Sequence, residues 1–189
     1  MGTIYQEAVE SWYGNTSWAE HSSMELTSGY ARAGRLQFGS LSSGNSIESL
    51  TFKFNKTNSG GGGYLHFYAT GNAALLGNQT TSMIDLGLMP IFGSGTGWKT
   101  LAVPASMLEA LSQFAGTWYL VMTCSVYVTF YGQYSTNSPR FEGTYSDGSM
   151  YLSDGGVQKI SVSYFNDGGV WKQSIASIND GGVWKQGLA

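Results

Sequence analysis

Ile47-Glu48-Ser49-Leu50-Thr51-Phe52-Lys53-Phe54 sets Leu50, Phe52 and Phe54 between polar neighbours at every second position. Successive side chains of extended backbone point to opposite faces, so this period of two predicts a half-buried strand. Gly34-Arg35-Leu36-Gln37-Phe38 reads as another strand before it. Asn55 to Gly63, packed with Asn, Ser and four consecutive glycines, predicts a loose loop, and alternation resumes from Tyr64 to Ala69.

The longest apolar stretch, Trp118 to Tyr131, is too short for a membrane helix and is interrupted by Thr123, Ser125 and Thr129 in alternation. It is expected to be one strand, with Leu120, Met122, Cys124, Val126, Val128 and Phe130 on one face, which makes Cys124 a buried, inert thiol. Turn-rich sequence from Gly132 to Pro139 leads into Arg140-Phe141-Glu142-Gly143-Thr144-Tyr145, the expected last strand of the domain. One short helix is expected, with Pro104 at its first position, Met107, Leu108, Leu111 and Phe114 at helical spacing, and Gly116 closing the end. The fold class is all-β: a β-sandwich over residues 1–146 with one short helix.

Composition agrees with that class. Of the 189 residues 42% are apolar, 14% aromatic and only 11% charged, with 27 glycines, a balance that favours strands and tight turns over charged surface helices. The net charge of -3 comes without a run of Lys or Arg, which argues against a nucleic-acid partner. The start, Met1-Gly2-Thr3-Ile4-Tyr5-Gln6-Glu7, lacks the basic and apolar regions of an export signal, and Gln6 stands where myristoylation wants Ser or Thr. One cysteine excludes an intrachain disulfide and suits synthesis in a reducing cytosol.

Residues 147–189 differ in kind. Asp154-Gly155-Gly156-Val157, Asp167-Gly168-Gly169-Val170 and Asp180-Gly181-Gly182-Val183 recur thirteen residues apart. Lys159, Lys172 and Lys185 each follow five positions after the Asp; Trp171 and Trp184 follow Val in the later units, where Gln158 stands in the first. Asp-Gly-Gly supplies the positive dihedral angles of a tight turn, and Ile160, Val162, Tyr164, Ile175 and Ile178 suit short strands between turns. The expectation is a small β-hairpin or β-meander region whose Trp171, Lys172, Trp184 and Lys185 serve assembly, the tryptophans packing on one another, on the main domain or on another subunit.

Asn166-Asp167-Gly168-Gly169-Val170-Trp171-Lys172-Gln173 and Asn179-Asp180-Gly181-Gly182-Val183-Trp184-Lys185-Gln186 resemble the Gly-Val-Trp-Lys repeats near the carboxyl ends of minor structural proteins of tailed phages and prophages. The first domain is similar, through Arg35-Leu36-Gln37-Phe38, Ile47-Glu48-Ser49-Leu50-Thr51-Phe52 and Ser138-Pro139-Arg140-Phe141-Glu142-Gly143-Thr144-Tyr145, to jelly-roll modules of the DNRLRE type. It departs from them in its aromatic-rich start at Trp12, Tyr13 and Trp18. The resemblance implies a jelly-roll-like sandwich in a bacteriophage virion structural protein, a tail-tip, fibre or head-fibre component made in the host cytoplasm without a signal peptide. Its implied partners are other virion proteins, further copies of itself and, for host attachment, a bacterial surface glycan.

Motifs of catalysis are scarce. The chain has two histidines, His21 and His66, and no Cys-x-x-Cys, His-Glu-x-x-His, P-loop or Gly-x-Ser-x-Gly. Glu7 with Glu10, or Glu20 with Glu25, gives near-neighbour acids rather than a pair facing across a cleft, so a glycan depolymerase is the weakest reading. The repeat Asp residues lack the further spaced oxygen ligands of a calcium loop. No enzyme activity, cofactor, metal or membrane insertion is expected. The competing class is a carbohydrate-binding receptor-recognition module, since alternation sets Tyr64, His66 and Tyr68 on one face and Tyr127, Thr129 and Tyr131 on another. If those strands share a sheet, Tyr64, His66, Tyr68, Tyr127 and Tyr131 form an aromatic floor for a pyranose; otherwise they cover a sandwich face or pack between subunits. The loop carrying Trp12, Tyr13, Asn15 and Trp18 is a second candidate, or simply closes the core.

Overall fold

A computed structural model describes residues 2–27, 29–42, 45–133 and 135–146, and in the repeats 150–154, 157–161, 164–167, 170–173, 177–180 and 183–186. The side chains of residues 29–31 and 150–186 lie outside the described set. The chain forms two compact units, Met1–Tyr145 and Ser146–Ala189.

The first unit contains β1 (Gly2–Glu7), β2 (Glu10–Gly14), β3 (Ala19–Glu20), β4 (Ser23–Leu26), β5 (Gly29–Phe38), β6 (Ile47–Lys56), β7 (Leu65–Thr70), β8 (Ile84–Leu88), β9 (Gly97–Ala102), α1 (Ala105–Ser112), β10 (Trp118–Cys124), β11 (Val128–Tyr131) and β12 (Arg140–Tyr145). The predicted alternation at 47–54 is realised in β6, where Leu50, Phe52 and Phe54 are buried. Residues Thr51 to Lys53 pair with β12 and with β9, which therefore flank β6 on opposite edges. The first sheet thus runs β1-β12-β6-β9, and β11, joined to β6 at Phe130 and Lys56, adds β4. The second sheet runs β3-β2-β5-β10-β7-β8. All pairings are antiparallel among the described strands.

Setting aside the short additions, β1, β6, β9 and β12 belong to one sheet and β5, β7, β8 and β10 to the other. The chain therefore alternates between sheets as a jelly roll does, an eight-stranded sandwich of two Greek keys. Phe52 of β6 meets Phe67 of β7 edge-on at 5.2 Å, and Phe38 of β5 meets Phe141 of β12 at 4.9 Å, so the two sheets interlock through aromatic rings. Trp118 is fully buried, stacked on Phe38 at 5.4 Å, with its indole N–H donated to the Gly39 carbonyl at 2.8 Å. Each such ring contributes roughly 1.5–3 kcal/mol by leaving water. Helix α1 begins one residue after Pro104, which is its N-cap rather than its first residue, and buries Met107 and Leu111.

Two expectations change. Trp118 to Tyr131 is not one strand: β10 lies in the second sheet, the chain crosses at Ser125-Val126-Tyr127, and β11 lies in the first. Both sheets face the same core, so Val128 and Phe130 stay buried after the crossing and the alternation continues unbroken. The loop expected from Asn55 to Gly63 begins two residues later, because β6 runs on through Asn55 and Lys56, and it is tethered rather than loose. Lys56 ends β6 only 1% exposed, and its ammonium donates to the carbonyls of Asn58, Gly60 and Gly95 at 2.8, 2.7 and 3.2 Å. Cys124 is buried as expected, and desolvation raises its thiol pKa, the opposite of an activated nucleophile.

The second unit holds three hairpins: β13 (Met150–Asp154) with β14 (Val157–Ser161), β15 (Tyr164–Asp167) with β16 (Val170–Gln173), and β17 (Ser177–Asp180) with β18 (Val183–Gln186). Each pairs its Asp with its Val across the Gly-Gly step: Asp154 with Val157, Asp167 with Val170 and Asp180 with Val183. Among the described strands they form three separate two-stranded sheets, so hairpins rather than a continuous meander result. The glycine dihedral angles, Val162 and Ile175 lie outside the described residues.

Candidate functional site

Because Leu36, Leu120, Met122, Leu65 and Phe67 fill the core, alternation turns their strand neighbours to the outer face of the second sheet. Register places Trp12 of β2 beside Arg35 of β5, and Val121 and Thr123 of β10 beside Tyr68 and His66 of β7. Arg35 is 6% exposed. Its guanidinium carbon lies 4.0 Å from the Trp12 ring centre, 4.9 Å from Trp18 and 5.0 Å from Tyr119. Nη1 donates to the Ala73 carbonyl at 2.6 Å, while the buried Nε has no hydrogen-bond partner among the described residues. Burial lowers the guanidinium pKa against weaker upward pulls from Tyr119 and Glu10, yet arginine stays charged in proteins. A cation is thus held by three ring faces and a backbone carbonyl, with no carboxylate bonded to it among the described residues.

The segment between β7 and β8 covers this face. Trp18 donates its indole N–H to the Leu75 carbonyl at 2.8 Å, and the Asn78 N–H reaches the Asn15 carbonyl at 3.3 Å. Gly77 is required by the close approach: a Cβ there would lie 2.7 Å from the Gly14 carbonyl oxygen and 2.9 Å from Ala33 Cβ. Beside it, His66 stacks on Tyr68 at 4.4 Å and contacts the Asp85 carboxylate through Nε2 at 2.6 Å. Tyr68 is buried in a small cluster with Ala33 and Val121 that Trp18 and Met83 pack against.

The five tyrosine and histidine candidates do not form one floor. His66 and Tyr68 lie on the second sheet, and Tyr64 precedes β7, exposed, with its N–H on the Ser125 hydroxyl at 3.0 Å. Tyr127 precedes β11 of the first sheet and Tyr131 is its last residue. Tyr127 is exposed and hydrogen-bonded to Glu25, which raises its pKa; Glu25 pairs with Arg32, whose guanidinium lies 5.7 Å from the Tyr13 ring. Tyr13 in turn packs on His21 at 4.2 Å. The aromatic-rich start therefore divides, Trp12 and Trp18 enclosing Arg35 while Tyr13 joins the Tyr127 cluster.

Sequence reasoning missed Arg35 and Tyr119. Their outward parity was readable from Leu36, Phe38, Trp118 and Leu120, but their convergence depends on a β5–β10 pairing whose described register is Phe38 with Trp118. It also missed the outer face of the first sheet, where Arg140 lies 4.3 Å from Trp98 and 5.8 Å from Tyr5. Glu142 accepts from Lys53 at 2.5 Å and Arg140 at 2.7 Å, bonds that lower its pKa. Within the repeats, register pairs Trp171 with Asn166, Lys172 with Phe165, Trp184 with Asn179 and Lys185 with Ile178; the packing of those side chains lies outside the described residues.

Comparison with known protein families finds no matching family model, and no curated protein matches the chain.

Proposed function

We propose that this chain is a non-catalytic structural subunit of a bacteriophage particle, a tail-tip, fibre or head-fibre component. Its hairpin repeats attach it to the particle or to sister chains, and its jelly-roll domain is displayed. The observation that supports this reading is the tandem array: three hairpins of like register, each a separate two-stranded sheet among the described strands. An isolated two-stranded hairpin is marginal in water, so repeated hairpins call for a surface to dock on, and repetition multiplies weak contacts. Proteomics of gradient-purified particles tests it. The full chain is expected in the particle and a chain ending at Ser146 is expected to be lost from it; absence of the full chain from intact particles rejects the reading.

A second reading, recognition of bacterial surface glycans by the displayed domain, is favoured by the ring cluster of Trp12, Trp18 and Tyr119 on a sheet face. It coexists with the first. A broad glycan array with the full chain tests it, and binding to no member rejects it.

A further inference from the structure

We infer that Arg35, with Trp12, Trp18 and Tyr119, forms a subsite for the carboxylate of an acidic sugar. This rests on the glycan-recognition reading and names the ligand class. The starting observation is an imbalance: an arginine more than nine-tenths buried as a residue, whose guanidinium has the neutral Ala73 carbonyl as its acceptor and whose buried Nε–H is unmet among the described residues. A buried cation with an idle donor is costly, and rings compensate only part of its lost hydration. A carboxylate supplies what is missing, two coplanar oxygens for a planar fork of N–H donors and a full countercharge.

The surroundings select a sugar acid over a free ion. Trp12, Trp18 and Tyr119 are only partly buried, and such rings cover the apolar face of a pyranose. A uronic acid carries its carboxylate on the ring carbon next to the ring oxygen, so one residue can lie against the aromatics while its acid meets Arg35. A phosphodiester between sugars lies farther from any one ring. Entry exchanges the Ala73 carbonyl for the ligand, a neutral acceptor for a charged and stronger one. That carbonyl belongs to an exposed stretch, Gly71 to Ala74, which approaches the site from the surface.

The test uses the full chain, a glucuronate-bearing capsular polysaccharide, the same polymer after chemical reduction of its carboxyl groups, and a phosphate-bearing teichoic acid. Binding is read by calorimetry and by the indole N–H resonances of Trp12 and Trp18. The native polymer is expected to bind and to shift both resonances, and carboxyl reduction is expected to weaken binding at least about tenfold. Arg35→Lys, which keeps the charge but loses the planar fork, is expected to weaken it similarly, whereas Trp98→Ala on the other sheet leaves it unchanged. Native and reduced polymers bound equally, or teichoic acid bound in preference, overturns the acidic-sugar assignment while the glycan reading stands. Binding to none of these polymers overturns the assignment; binding to no member of the broad array overturns the glycan reading with it. The comparison of native with reduced polymer uses the unaltered chain and decides the matter even if Arg35→Lys folds poorly.

Discussion

Phe52 and Phe67 approach from opposite sheets, both without exposed surface, with ring centres 5.2 Å apart and planes at 90°. Replacing either by Leu removes about three carbons from the core, which at about 0.8 kcal/mol per buried carbon costs roughly 2 kcal/mol. An edge-to-face pair adds about 0.5–1.5 kcal/mol beyond area, and that increment is lost in either single variant. The double variant is therefore expected to be less destabilised than the sum of the singles by this amount. Guanidinium unfolding of the full chain, with the four proteins compared at a common denaturant slope, reads the coupling. Each single variant thus loses roughly 2.5–3.5 kcal/mol in all, which at about 2–4 °C per kcal/mol lowers the melting temperature by roughly 5–14 °C. Additivity within about 0.3 kcal/mol would refute the reasoning, because the rings would then not meet across the sandwich.

Gly143 sits in β12 where an added Cβ would lie 2.0 Å from the Ser49 carbonyl oxygen, so Gly143→Ala is expected to destabilise by at least about 1–3 kcal/mol through overpacking, read by thermal unfolding; a neutral effect would contradict the β6–β12 register. Lys56→Met strips three carbonyls of a shared buried donor, and a loss of about 1–3 kcal/mol with faster amide exchange across residues 57–63 is expected, against unchanged exchange if the ammonium does not organise that loop. Bonds from Lys53 and then Arg140 hold the Glu142 pKa below its ordinary value of 4.5, so its contribution is present above that pH and is lost as pH falls through the lower folded value. Glu142→Gln should therefore lower the melting temperature at pH 7, by no more than about 1 kcal/mol for a pair that is partly open to solvent, and converge with the parent in acid; parallel pH profiles would count against it.

Strands were legible wherever one face is buried and the other wet. Arg140 to Tyr145 was expected as a strand and is β12, and the helical spacing from Met107 to Leu111 marks α1. Changes of sheet were not legible, since Cys124 and Val128 serve one core from two sheets and the period of two runs through the crossing. The Lys56 anchor was hidden because a lysine at the end of an alternating strand reads as solvated until its carbonyl partners are placed. Arg35 was hidden for a related reason. It occupies an outward position, where a charged residue needs no explanation, and only the folding of Trp18 and of the segment near Ala73 over that face buries it. Alternation alone points to the tyrosines, and it fixes the face of a strand but not the sheet that the strand joins.

The central claim is that the repeats are assembly elements, and the solution mass of the full chain beside one ending at Ser146 tests it most directly. Light scattering with sedimentation equilibrium is expected to give a defined oligomer for the full chain and a monomer for the shortened one. Two monomers, or two oligomers of the same order, would contradict it.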